Sequence, residues 1–384
     1  MQHRNTVLHQ VLHHVRWHRF EALVSRHSSD KHVRSLSTRT QFIAMAYGQL
    51  SGSDSLRETL TQFNSEGPKL YHLGAKPVAR STFADANAKR SSAVFADLFK
   101  DLVANVHRHV RRSLEDATYL IDSTHLRLNE HSAKWARYSA GVCGAKVHVV
   151  YDPNADQPIY AAFSAANVND ITAAKEMPIE AGATYVFDLG YYDYAWWNKL
   201  HEAGCRIVTR LKKNTKLTIT RERPSRPGGP ILEDRFGTLP ARQMNNRHNP
   251  MGCEMREVVV RIDTGKVLRI LTNDLTSSAQ TIADLYKRRW AIELHFRWIK
   301  QVLKIRKFLG TSDNAVRTQV YIALIVFLLL RLAHAAQTPA PNLLDFVRLI
   351  RAHLMNQRDL AVLDRPHQPP PPDPRQHCLE WCTV

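Results

Sequence analysis

Three acids stand where a chain can do chemistry: Asp122 at the end of the apolar run TYLIDST, Asp188 at the end of TYVFD, and Glu293 inside the basic stretch LYKRRWAIELHFRWIK. Side chains at the carboxyl ends of strands in open α/β sheets collect along one edge, and a helix packed on the sheet can bring a third group to it. Three carboxylates meeting there repel one another unless cations lie between them. Mg²⁺, which takes a few carboxylates together with water and phosphate oxygens, suits that set. A pair of such ions, with Mn²⁺ as a substitute for Mg²⁺, activates water and stabilises the leaving oxygen of an in-line phosphoryl displacement. Asp122, Asp188 and Glu293 are therefore the candidate catalytic residues and metal ligands. Each also has a purely structural use. Asp122 can cap the turn DST, Asp188 can cap the helix that follows DLGYYD, and Glu293 can pair with Arg289 or Arg297 one turn away.

The stretch 285–305 reads as one unbroken helix. At about 100° per residue, with Tyr286 set at zero, Arg289, Glu293 and Lys300 fall at about −60°, −20° and −40°, inside one narrow stripe. Leu285, Ile292, Phe296, Ile299 and Leu303 form an apolar band beside it. Glu293 thus sits at the rim of the buried face, and the basic residues around it are placed to meet phosphates.

Composition agrees with an anionic partner. The 384 residues hold 53 Lys and Arg against 35 Asp and Glu, a formal charge of +18, with 20 His besides; such a field favours a polyanion. The longest apolar run, Val320 to Leu330, ends at Arg331, well short of the roughly 20 residues a bilayer span needs. The opening MQHRNTVLHQ lacks the apolar core of a secretory signal. The expected location is the cytoplasm, with no membrane partner. Five Cys, at 143, 205, 253, 378 and 382, form no C-x-x-C pair and read as reduced thiols. The terminal HCLEWC lacks the second ligand pair of a zinc site.

The elements that must position these groups fall into three blocks. Residues 1–115 are basic and helical in period, with segments at Thr6–Leu23, Thr40–Leu50, Ser55–Phe63 and Ser92–Arg112. Within them KPVARSTFADANAKR reads as a turn and short helix, capped by Ser81 or Thr82, whose flanks Arg80, Lys89 and Arg90 are candidate DNA contacts. Residues 116–340 begin with three strands, TYLIDST, AKVHVVYD and QPIYAAFS, then alternate: a helix near Ile171–Glu180, the strand TYVFD, a helix at Tyr194–Glu202, the strand CRIVTRL. This order predicts an α/β fold with a mixed sheet. A basic, β-rich insertion spans about 213–275, and the apolar Ala315–Leu332 reads as a core helix. Residues 341–384 hold an amphipathic helix at Asn342–Met355 and the extended tail RPHQPPPPDPR.

The chain resembles the DDE-type transposases of bacterial insertion sequences, in particular the insertion-sequence-four group, whose signature is Tyr, two residues, Arg, three residues, Glu, six residues, Lys. YKRRWAIELHFRWIK carries it as Tyr286, Arg289, Glu293 and Lys300, while YLIDST and YVFDLGYYDY resemble the segments around the first and second acids. The resemblance covers residues from about 115 to 335; the first 115 look like the helical N-terminal domain of some members. It implies a ribonuclease-H-like mixed sheet with a β-rich insertion, preceded by an all-helical N-terminal domain. It also implies Mg²⁺-dependent nicking of double-stranded DNA at terminal inverted repeats and joining of the 3′-hydroxyl to target DNA by a homodimer in a synaptic complex. In that reading Arg289, Lys300 and Arg297 hold phosphates and Tyr286 contacts the backbone or a displaced base. One departure concerns members that open DNA through hairpins, which hold a flipped base on a Trp of the insertion. Here the insertion has no Trp and only Phe236. Two other readings share these residues: a transposase-derived DNA-binding repressor without catalysis, and a stand-alone nuclease.

Overall fold

Hydroxyl caps start several of the N-terminal helices. The computed structural model describes residues 5–111, 117–139, 142–225, 228–242, 248–303, 305, 307–337 and 342–363. Its first block holds α1 (Val7–Leu12), α2 (Trp17–Arg26), α3 (Thr38–Ser51), α4 (Leu56–Ser65), α5 (Gly67–Leu73), α6 (Arg80–Lys89) and α7 (Ala93–Arg111). Thr6, Ser37 and Ser55 accept from the amides of His9, Thr40 and Glu58, and Glu58 accepts from the amide of Asp54, one residue ahead of the Ser55 cap, so both polar side chains of S-x-x-E satisfy amides at the start of α4. The predicted helix Thr6–Leu23 divides into α1 and α2. Predicted caps at Ser81 and Thr82 are also displaced: α6 begins at Arg80, and its N-cap, Ala79, offers no side-chain bond.

The sheet has ten strands among the described residues: β1 (Thr118–Leu128), β2 (Arg137–Ser139), β3 (Val142–Asp152), β4 (Gln157–Ala165), β5 (Thr184–Phe187), β6 (Arg206–Arg210), β7 (Thr218–Arg223), β8 (Ile231–Thr238), β9 (Met255–Arg261) and β10 (Val267–Thr272). Their order is β2-β3-β1-β5-β6-β10-β9-β8-β7, with β4 also on β3. β1, β5 and β6 run parallel and the other pairs antiparallel. The 213–275 insertion therefore extends the sheet: β10 pairs with β6, and the insertion contributes four strands where the sequence pattern marked two. At its centre Arg256, 0 % exposed, forms a two-pronged ion pair with Asp234 and lies with Arg221 and Arg223 around the ring of buried Phe236. That ring is committed to the fold.

The helices of this block are α8 (Ala133–Ala136), α9 (Asp170–Ala174), α10 (Tyr194–Glu202), α11 (Ala279–Arg288), α12 (Trp290–Val302), α13 (Asp313–Ala335) and α14 (Leu343–His353). α13 is long and apolar enough to cross a membrane by length and composition, yet it is packed among α3, α6 and α7. Its Ile322, Ile325, Val326, Leu328, Leu329 and Leu330 are fully buried, in one core that also takes in Leu120 and Leu126 of β1 and Ile292 and Ile299 of α12. A helix from the C-terminal side thus fills the N-terminal bundle. A second core, on the other face of the sheet, joins Tyr119, Phe187, Trp196, Trp197 and Ile207. Cys143, Cys205 and Cys253 are free thiols. The proline-rich tail, Cys378 and Cys382 lie outside the described residues.

Candidate active site

Register brings the first two acids together. β1 and β5 are parallel with Ile121 beside Phe187, so Asp122 and Asp188, the next residue on each chain, stand abreast. Asp122 is not at a strand end as the sequence pattern indicated, because β3 continues to pair with β1 as far as Leu128. It lies at the point where β5 stops, which leaves its flank open. Asp188 caps a short 3₁₀ turn, Leu189–Tyr191, by accepting from the Gly190 amide at 2.8 Å. The cap of α10 is Asp193 instead.

The third acid reaches them through an arginine. α12 packs on β1, and the Arg289 guanidinium donates to Asp122 Oδ2 at 3.1 Å and to Glu293 Oε1. The structural alternative for Glu293, an ion pair with Arg289, is thus present, but the same guanidinium also holds Asp122 across the sheet. Burial pushes the Asp122 carboxyl up to about 6, against the Ser123 amide and Arg289, and the charges of Asp188 and Glu293 push it further the same way. These acids share one electrostatic environment.

Arg289 also marks a correction to the single predicted helix. The Arg289 amide bonds to the Tyr286 carbonyl and the Ile292 amide to the Arg289 carbonyl, each three residues apart, and this tight turn divides α11 from α12. The apolar band survives it: Ile292, Phe296, Ile299 and Leu303 are buried. Tyr286 is buried too, its phenol pushed up by burial, with Arg289 5.9 Å from its ring centre. Lys300 is partly buried and close enough to β1 to lower the His125 imidazole, after burial and Lys146. Arg297 is exposed.

The donor set is all oxygen and negatively charged, which fits a hard divalent cation. Asp122, Asp188 and Glu293 are the residues that would hold it. Among the described residues no three such side chains already stand close enough together to ligate one ion; the Arg289 cation lies between Asp122 and Glu293.

The family model described as "Transposase DDE domain" matches residues 114–329. The chain belongs to the DDE-domain transposases. A Sinorhizobium fredii protein described as a transposase is 40 % identical over 299 residues, 77 % of this chain and 83 % of its own. A Geobacillus stearothermophilus protein described as the transposase for insertion sequence element IS5377 is 30 % identical over 285 residues, 71 % of this chain and 73 % of its own. Residues 3–76 match a domain of unknown function. A solved piggyBac transposase synaptic complex with hairpin DNA aligns at a TM-score of 0.45 and 12 % identity, over 91 % of this chain and 80 % of that one.

Elsewhere in the transposase, Arg80 and Lys89 are exposed on α6, Lys89 3.8 Å from Asp85. Arg90 is turned inward, contrary to its expected place on a DNA-facing flank: it donates to Gln41 Oε1 at 3.1 Å and to the Leu36 carbonyl. Trp298 packs edge-on against Phe327 at 5.0 Å. Trp290 is 50 % exposed and, with Arg210, Arg261, Lys266, Tyr286 and Arg289, borders a groove of 570 Å³ between α11 and the β9–β10 hairpin. The sequence pattern did not single out Asp170 or Lys146, which lie behind the two aspartates. Lys146 alternates with buried apolar residues on β3 and draws no attention there.

Proposed function

We propose that this insertion-sequence transposase is a divalent-cation-dependent enzyme that hydrolyses phosphodiester bonds at the terminal repeats of its element and transfers the freed 3′-hydroxyl to target DNA. The observation that carries this reading is the parallel register that sets Asp122 beside Asp188, with Glu293 tied to Asp122 through Arg289. Mg²⁺ or Mn²⁺, when bound by these three carboxylates, supplies activation of water and charge neutralisation at the leaving oxygen. The remaining work belongs to the chain. Arg289 and Lys300 hold phosphates on either side of the scissile bond, Arg297 adds to the backbone contact, and Tyr286 orients the nucleotide beside them. The charge of +18 draws the duplex in by counterion release.

The antiparallel β1, β3 and β4 followed by parallel β5 and β6 support a ribonuclease-H-like catalytic region at 116–340, and the tyrosine-to-lysine signature supports membership of the insertion-sequence-four group. In the same reading, residues 1–115 bind the element ends through exposed residues such as Arg80 and Lys89, residues 341–384 are a C-terminal helix and proline-rich tail, and two copies act together in the bacterial cytoplasm. A catalytically silent repressor would have no need for two aspartates set abreast with a glutamate tied to one of them through Arg289.

The test is to assay cleavage and gel shift on the same preparations of Asp122→Ala, Asp188→Ala and Glu293→Ala. End binding is expected to persist while cleavage disappears, since metal ligands serve the transition state more than docking. An Asp188→Ala protein that cuts at the wild-type rate would refute the assignment.

A further inference from the structure

A fourth acid stands behind the paired aspartates. Asp170 opens α9, and its Oδ1 accepts from Ser123 Oγ at 3.0 Å and from Lys146 Nζ at 3.0 Å. Ser123 follows Asp122, and its amide donates to Asp122 Oδ1 at 2.7 Å. A chain of two hydrogen bonds therefore runs from Asp170 to the first aspartate. On the other side, a Cβ at Gly190 would lie 3.0 Å from both Asp170 Oδ2 and Asp188 Oδ1. The two carboxylates are thus no more than twice that distance apart, separated by a residue with no side chain to intervene. The same Gly190 supplies the amide that fixes Asp188. Next to it Tyr191 is fully buried, and Asp122, Asp170 and Asp188 all act on its phenol.

Lys146 makes the charge of Asp170 necessary. Its side chain is only 11 % exposed, and apart from Asp170 its ammonium donates to the Val168 carbonyl at 2.9 Å. A buried cation stripped of its anion is costly, and here it would also project a positive field onto the carboxylates in front of it.

We propose that Asp170 is a positioning residue of the active site. Through Ser123 and the Gly190 turn it fixes the side chains of Asp122 and Asp188, and it cancels a buried cation that would otherwise oppose a divalent ion at those two carboxylates. This rests on the reading above that Asp122 and Asp188 bind that ion.

The experiment is a Mn²⁺ titration of the full-length protein without DNA, following free Mn²⁺ by electron spin resonance, with thermal melts of the same samples. Supporting groups behind metal ligands typically change metal affinity by about 10- to 100-fold, so Asp170→Asn is expected to weaken Mn²⁺ binding by about tenfold or more while retaining a cooperative melt. The double substitution Asp170→Asn with Lys146→Met, which removes both charges, is expected to regain part of that loss. Ser123→Ala, which cuts the hydrogen-bond chain without altering charge, is expected to weaken Mn²⁺ by a smaller factor; it carries the test if Asp170→Asn fails to fold. Mn²⁺ affinity within about twofold of wild type for Asp170→Asn, or for Ser123→Ala where the former does not fold, overturns the proposal. Asp188→Ala separates the two layers of argument. If it loses Mn²⁺ while the Asp170 and Ser123 variants keep it, only the positioning role falls; if it binds Mn²⁺ like wild type, the metal reading falls and the positioning role with it.

Discussion

Replacing His148 by Gln removes one buried imidazole and should change how the protein responds to acid. His148 is 0 % exposed on β3. Its Nε2 meets Ser164 Oγ at 2.7 Å, and its Nδ1, 3.8 Å from Asp170 Oδ1, makes no hydrogen bond. Burial pulls this imidazole down from 6.5 to about 4; Lys146 and His125 act in the same direction and Asp170 against it. The folded protein thus refuses a proton that the unfolded chain accepts. The resulting stabilisation is fully present above 6.5 and is lost as pH falls from there through about 4. A gap of about two and a half units, at about 1.4 kcal/mol each, amounts to roughly 3 kcal/mol. Glutamine can keep the bond to Ser164 but does not titrate. Urea unfolding of both proteins between about pH 7 and pH 4, with chelator present, should show the wild type losing roughly 3 kcal/mol relative to the variant, most of it below about pH 6. Stability curves that stay parallel over that range would mean that Asp170 holds His148 protonated, and the reasoning from burial would be wrong.

Three further outcomes are expected. Arg289→Ala and Lys300→Ala should each flatten the salt dependence of end binding by about one phosphate equivalent, whereas Glu293→Gln should bind ends at least as well without metal and lose cleavage; unchanged slopes for both basic variants in a filter-binding series would remove them from the DNA interface. Asp234→Ala leaves Arg256 buried with no carboxylate and should cost about 3–5 kcal/mol by chemical denaturation, and Arg256→Met in the same chain should recover much of it. A chain ending at Arg111 lacks α13 and should show neither a cooperative melt nor dispersed amide resonances, because the fully buried Leu328, Leu329 and Leu330 fill the space among its helices; a folded fragment would contradict this.

Local signals accounted for a good part of the architecture. The helix Tyr194–Glu202 has its expected bounds because a cap at Asp193 and a compact apolar face are both local. The runs ending in Asp122 and Asp188 are strand-like, and the tyrosine-to-lysine signature led to the transposase family that the comparisons establish. Non-local facts were hidden. Arg289 keeps helical torsions, φ −52° and ψ −29°, so a periodicity count passes through the joint where bonding tightens from four residues to three. The pairing of β10 with β6 joins segments far apart in the chain, and nothing in either strand announces it. Asp170 acquires its place only when α9 folds over β3, and Arg90 looks like any basic helix flank until Gln41 and the Leu36 carbonyl are found at its tip.

α13 has a consequence for how this protein can diversify. Because the helix filling the N-terminal bundle is encoded after the Glu293 helix, these two separated segments must change together. A graft of a relative's residues 1–111 onto this chain would set foreign helices against the Ile325, Leu328 and Leu329 surface evolved for α3, α6 and α7, and with about 1–3 kcal/mol lost at each overpacked side chain, a few such misfits together approach a margin of about 5–15 kcal/mol. On the proposed role of residues 1–115 in end binding, new specificity is more accessible through substitutions on the outward faces of those helices than through exchange of the block as a cassette.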